Sequence, residues 1–212
     1  MNKFIINFTK ITAYPIWYVC CRPRIHYEDR KVQSARIKGP AIIISNHTSI
    51  VDFALLLFAF FGRTIRAQMA EVLFKKKLLG WYLRKMGGIE VNRVTYNFSF
   101  IEKSIDILND GGVLAVFPES RIPRKDEERP LKFKASAAYI AMKTNVPIIP
   151  VYTNGKYLKK ERARIIIGKP IYVNDYYDSN LSEKKNIRNM INIVREKILE
   201  LRDELERQTT KR

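Results

Sequence analysis

"AIIISNHTSIVDFALLLFAFFG", residues 41–62, decides the fold class. Its first five residues are apolar and largely β-branched, which is the composition of a strand buried on both faces. From 49 to 61 the chain is apolar on every side of a helical projection, and Gly62 follows as a stop. A buried strand that feeds a buried helix through a short polar turn is the repeating unit of α/β proteins.

The same alternation continues along the chain. Strands are expected at 66–69, 89–92, 113–117, 146–152 and 162–171. Helices are expected at 74–86, from a cap at Asn97 to 108, at 134–144, and at about 182–206. The last is amphipathic, with its stripe at Ile187, Ile191, Val194, Ile198, Leu201 and Leu205. Pro147 and Pro150 place the 146–152 strand at an edge, or interrupt it. The expectation is one α/β domain over 33–212, a central mixed sheet flanked by helices, with an N-terminal membrane-interface segment at 1–32.

Charge narrows the function. In 212 residues, 39 Lys and Arg oppose 21 Asp and Glu, for a formal net charge of +18. Such a chain seeks an anionic partner: nucleic acid, acidic lipid, a phosphorylated ligand or an acidic protein. There is no RNP-like, zinc-finger or G-x-x-G signature, so nucleic acid is not expected. Cys20 and Cys21 are adjacent and show no metal-ligand spacing, so no metal site is expected, and the usage fits a reducing compartment.

Lys10 interrupts the apolar N-terminus, and the run from 11 to 21 is shorter than the ~20 residues a bilayer core requires. On a helix Phe4, Phe8 and Ile11 share a face. Tyr14, Trp17 and Tyr18 favour the headgroup region, where Lys3, Lys10, Arg22 and Arg24 would meet an anionic membrane surface. This reads as an interfacial anchor; packing of the segment on the domain is the alternative.

Inside the opening stretch, His47 and Asp52 are five positions apart. On one helix that spacing turns through about 140°, and the side chains diverge. They meet only if His47 lies in the turn before the helix and Asp52 in its first turn, where Thr48 and Ser49 supply cap signals. One reading is a general base with its orienting carboxylate. The other is a capping box, Ser49-x-x-Asp52, beside a turn histidine with no chemistry.

A second loop, "FPESRIPRKDEERPLKFK" (117–134), follows another buried strand. Glu119 stands at the strand end, where α/β proteins place ligand sites. Arg121, Arg124, Lys132 and Lys134 follow and suit phosphate, although Asp126, Glu127 and Glu128 also fit a solvated loop. "GGIEVNR" adds Arg93 at a third strand end. No G-x-S-x-G elbow supports a serine nucleophile.

Taken in order over roughly residues 37–170, these segments resemble the glycerolipid acyltransferases, the family that includes 1-acyl-glycerol-3-phosphate acyltransferase. Asn46, His47 and Asp52 match the family's N-H-x-x-x-x-D block. "LLGWYLRKMGGIEVNR" resembles the second block, which ends in Arg93. "FPESR" is similar to the F-P-E-G block at Phe117, Pro118 and Glu119, and "VPIIPV" to the proline-containing fourth block.

The resemblance implies an acyl transfer from a thioester, acyl-CoA or acyl-carrier protein as co-substrate, to a hydroxyl of a lysophospholipid acceptor, with no other cofactor. His47 would be the base and Asp52 its orienter. Arg93, Glu119, Ser120 and Arg121 would form the acceptor site, assisted by the charge of Lys134. The setting it implies is the cytoplasmic face of the cell membrane. The sequence departs from the family pattern in four places. Ser120 stands where glycine is usual, and Arg121 follows it directly rather than one residue later. Ser136 replaces a frequent glycine, and Glu71 a frequent lysine.

Overall fold

A computed structural model describes residues 2–21, 23–92, 98–124, 126–157 and 162–210. The apolar runs become strands β1 (Arg24–Tyr27), β2 (Ala41–Ser45), β3 (Ile65–Ala70), β4 (Ile89–Val91), β5 (Val113–Val116), β6 (Ile148–Thr153) and β7 (Arg164–Ile167). They form one sheet in the order β1-β7-β6-β2-β5-β3-β4. All neighbours are parallel except β6 and β7, so the sheet is mixed, as expected.

The helices are α1 (Lys3–Cys21), α2 (Asp52–Ala59), α3 (Glu71–Phe74), α4 (Lys77–Lys85), α5 (Ser99–Asn109), α6 (Ser136–Thr144) and α7 (Glu183–Thr210). Strand alternation sends Ile42, Ile44, Leu114 and Val116 to one face, against Ile107 of α5, Ile140 of α6 and Ile198 of α7. It sends Ile43, Ala115, Ile149 and Val151 to the other, against Leu55 and Leu56 of α2. Every residue of β2 and of β5 is buried. A fully buried isoleucine contributes roughly 1.5–3 kcal/mol, so these two strands anchor the fold.

The chain path sets the site. From β2 it runs outward to β3 and β4, returns to β5 between β2 and β3, then crosses to β6 on the other side of β2. The C-terminal ends of β2, β5 and β6 therefore lie side by side, which is where an open parallel sheet binds ligands.

Several expectations need correction. The 146–152 strand is central rather than an edge: β6 lies between β2 and β7. Its proline is accommodated because Pro150 O accepts the Gly168 N–H at 2.9 Å, so the ring nitrogen faces the β7 side too. Pro150 thus opposes Gly168, one residue past the end of β7, and the next pairing on that side is the Ile148–Ile171 bridge. The missing N–H forfeits a single bond at the end of the β6–β7 ladder and leaves the β2 side untouched. The helix expected at 74–86 is α4, which begins at Lys77 because Phe74 ends the short α3; the two pack so closely that a Cβ at Gly80 would stand 2.2 Å from the Phe74 carbonyl oxygen. β1, unsignalled in the sequence, brings residues ahead of position 33 into the sheet. The expected cap Asn97 lies outside the described residues, and α5 begins at Ser99.

α1 packs on α2 with one face and leaves the other open. Ile6 is buried with Leu57 and Met86, and the Trp17 and Phe58 rings lie 4.9 Å apart. Phe4, Phe8 and Ile11 are exposed, as are Ile16 and Val19. Lys10 does not face outward as expected: it is buried, and its Nζ donates to the carbonyls of Phe61 and Arg63, both at 2.7 Å. Among the described residues, no helix is long and apolar enough to cross a membrane.

Candidate active site

β2 ends at Ser45, and Asn46 pins the start of the turn beyond it. Its side-chain amide donates to Thr153 O at 3.0 Å and accepts the Thr153 N–H at 2.8 Å, which locks the end of β2 to the end of β6. His47 and Thr48 form the turn, and α2 starts at Asp52 rather than at residue 49. The turn-and-first-turn geometry brings His47 Nδ1 to 2.8 Å from Asp52 Oδ2.

Asp52 is 1% exposed yet fully satisfied. Oδ2 also accepts the N–H groups of Thr48 at 2.6 Å and Ser49 at 2.9 Å. Oδ1 accepts the hydroxyls of Thr48 at 2.8 Å and Tyr157 at 2.6 Å. Burial alone would raise its pKa, but the hydrogen bonds from His47, Tyr157, Ser49 and Thr48 together outweigh it and hold the carboxyl below its ordinary value. The carboxylate half of the capping box and the pairing are therefore one arrangement: Asp52 gathers the turn's N–H groups and the imidazole at once. Ser49 does not cap the helix; the position before α2 is Val51, which makes no side-chain cap bond.

The second loop completes the setting. The His47 ring stacks on Phe117, with centroids 4.6 Å apart. Glu119 is buried; Oε1 accepts the His47 backbone N–H at 2.7 Å and Oε2 the Leu131 N–H at 2.8 Å. Burial raises its pKa, and those two N–H groups only partly offset the effect. Oε1 thus holds the histidine turn, and Oε2 ties it to the loop at Leu131. Ser120 follows with φ of 64°, closing a turn in which its N–H donates to Phe117 O at 3.1 Å. That left-handed backbone is the physical reason for glycine at this position in the family pattern.

The remaining expected residues fall elsewhere. Arg121 is exposed and binds Glu127 through both terminal nitrogens, at 2.6 and 2.5 Å. That pairing holds the Glu127 carboxyl down to about 2. Lys134 is exposed, and its backbone N–H donates to Pro118 O at 2.9 Å. Arg93 lies outside the described residues. In exchange, a cavity of about 170 Å³ beside Asn46, His47, Thr48 and Glu119 is lined by Tyr152, Asn154, Arg129 and Arg202. Those four and Tyr157 have no local sequence signal; Gly155 comes closest, since a Cβ there would stand 2.8 Å from the Thr48 side chain.

A family model described as Acyltransferase matches residues 24–154, which hold the histidine, its carboxylate and the glutamate that positions them. The chain belongs to the acyltransferase family. The matched stretch of this acyltransferase includes the ends of β2 and β5, where His47, Asp52 and Glu119 meet. The chain is 28% identical over 170 residues to a 1-acyl-sn-glycerol-3-phosphate acyltransferase of Bacillus subtilis, covering 78% of this chain and 82% of that one. It is also 28% identical over 145 residues to a chloroplastic 1-acyl-sn-glycerol-3-phosphate acyltransferase of Brassica napus, covering 63% of this chain and 41% of that one. The crystal structure of the 1-acyl-sn-glycerophosphate acyltransferase from Thermotoga maritima shares the fold, with a TM-score of 0.64 and 23% identity over 94% of this chain and 79% of that one.

Proposed function

We propose that this acyltransferase moves a fatty acyl group from an acyl thioester to the free hydroxyl of 1-acyl-glycerol-3-phosphate, giving phosphatidic acid. The observation that carries this reading is the 2.8 Å contact between His47 Nδ1 and Asp52 Oδ2 at the shared strand ends. The named activity of the relatives points to the acceptor.

The ionised Asp52 accepts the Nδ1–H, which leaves the lone pair of the ring on Nε2. Nε2 takes the proton of the acceptor hydroxyl as its oxygen attacks the thioester carbonyl. A C–O bond forms, the C–S bond breaks, and the proton passes from Nε2 to the departing thiolate. Asp52 stabilises the imidazolium formed between those steps. Glu119 fixes the backbone of the base, and Phe117 supports its ring. Either donor, acyl-CoA or acyl-carrier protein, is anionic and suited to a chain of net charge +18.

The proposed workplace is the cytoplasmic face of the cell membrane. The exposed Phe4, Phe8, Ile11, Ile16 and Val19 of α1 would lie in the interface while its other face holds the domain.

The test supplies labelled acyl-CoA or acyl-carrier protein together with lysophosphatidic acid, other lysophospholipids and monoacylglycerol. The expected result is labelled phosphatidic acid, formed from lysophosphatidic acid faster than any other ester. Formation of no ester from any acceptor with either donor would overturn the proposal.

A further inference from the structure

We infer that Tyr157 is a positioning residue for acyl transfer: its hydroxyl braces the carboxylate that aims the His47 base. The inference rests on the acyl-transfer reading above. Tyr157 lies beyond residue 154, where the family match ends, so it stands outside the matched motifs.

The chain after β6 is built to deliver this side chain. Asn46, next to the base, is bonded to both backbone groups of Thr153. Asn154 is then tied to the start of β7, donating to Arg162 O at 3.1 Å and accepting the Arg164 N–H at 2.9 Å. Gly155 follows with φ of 66°, so near Thr48 that a Cβ would strike its side chain. The Tyr157 N–H donates to Gly155 O at 3.1 Å and closes the turn. The tyrosine is 8% exposed and belongs to the apolar cluster that includes Leu55 and Leu56 of α2. Its ring is thus held by packing, and its hydroxyl meets the buried end of Asp52.

The protons in this set of hydroxyls run in one direction. Tyr157 Oη donates to Asp52 Oδ1 at 2.6 Å. Burial first, and the neighbouring Asp52 charge second, push the phenol above its usual range, so it keeps the proton that it donates. In the 3.1 Å contact with Thr153 Oγ1 the threonine is therefore the donor, and its oxygen accepts the Gly155 N–H at 3.4 Å. Donors line up from Gly155 through Thr153 and Tyr157, and end on the Asp52 oxygen that His47 does not use. Hydrogen bonds aligned in this way polarise one another. The imidazolium formed during transfer then faces a carboxylate that keeps both its charge and its orientation. Among the described residues, the titratable groups that face Asp52 are His47, Tyr157 and Glu119. Glu119 comes from the loop after β5 and is held by backbone N–H groups, which loss of the phenol hydroxyl leaves in place.

The experiment compares wild type, Tyr157→Phe, Asp52→Asn and the double variant. Steady-state transfer from a labelled acyl thioester to lysophosphatidic acid is followed across acid and neutral pH, and melting temperatures check that each variant is folded. Tyr157→Phe keeps the ring in its cluster and removes only the donor. Its kcat is expected to fall about tenfold, a fraction of the roughly 10²–10⁴-fold that a positioned acid–base group contributes. KM for both substrates should stay within about twofold, because the buried hydroxyl binds neither. The acid limb of the kcat profile should move up by about one pH unit. Without this donor Asp52 takes a proton at higher pH, and then no longer accepts from His47. In the Asp52→Asn background the same change should alter kcat by less than about twofold, because the charge that the phenol serves is gone. A Tyr157→Phe enzyme with the wild-type kcat and acid limb overturns the inference and leaves the acyl-transfer reading intact. So does a change confined to KM, which assigns the hydroxyl to substrate binding. An equal fall in kcat in the Asp52→Asn background also overturns it, since the hydroxyl then acts by a route other than the carboxylate. A wild type that transfers to no acceptor overturns the function itself, and the inference with it.

Discussion

At the scale of the residue, Asp52 is held from every side. It is buried and accepts five hydrogen bonds from four residues. Asp52→Asn puts an amide N–H where a donor already points, so it is expected to cost about 2–4 kcal/mol in stability by urea unfolding. By loss of the correct tautomer of His47, kcat should fall roughly 10³-fold or more. Because the folded-state pKa lies below the ordinary carboxylate value of about 3.9, Asp52 contributes stability that is complete above that pH and lost as pH falls through the lower folded value. Wild type should therefore lose this stability in acid below about pH 4, and Asp52→Asn should not. Ser120→Gly acts in the opposite sense. It relieves a left-handed serine at φ of 64°, and thermal unfolding should show a gain of about 0.5–1 kcal/mol.

At the scale of the element, legibility followed locality. The strand–turn–helix at 41–62 could be read because each segment carries its own pattern, and the meeting of His47 with Asp52 follows from a turn and a first helical turn. What the sequence hid is produced by crossovers. Tyr157 reaches Asp52 from the loop after β6, and β1 finds β7 at the far edge of the sheet, pairings that no local pattern encodes. Pro150 misled for a related reason: whether a missing N–H matters depends on which neighbour it faces, and that is set by where β7 stops. Lys10 read as a lipid-facing cation because its partners, the carbonyls of Phe61 and Arg63, lie just after α2 in a different part of the chain. Lys10→Ala strands two carbonyls at the seat of α1 and should cost about 1–3 kcal/mol in denaturant titration. A loss below a few tenths of a kcal/mol would mean that α1 is not held there.

At the scale of the whole molecule, charge and apolar exposure are distributed rather than confined to the site. The net charge of +18 and the outward Phe4, Phe8 and Ile11 of α1 together suit an anionic bilayer surface. Changing all three to serine should weaken sedimentation with anionic vesicles at least tenfold while leaving the melting temperature within a degree or two, because the side chains touch solvent rather than core. Equal vesicle binding by the triple variant would place the contact on another face. The docked side of α1 meets α2, the helix that begins with Asp52, so the proposed membrane seat and the carboxylate that pairs with His47 share one packed unit.

The central claim is that His47 is the base that deprotonates the acceptor hydroxyl. The most direct measurement is single-turnover transfer of a labelled acyl group from thioester to lysophosphatidic acid by wild type and His47→Ala, at equal bound substrate. The account predicts phosphatidic acid from wild type and a rate at least about 10³-fold lower from a folded His47→Ala, in keeping with loss of a general base and its oriented pair. Transfer by His47→Ala at an undiminished rate would contradict it.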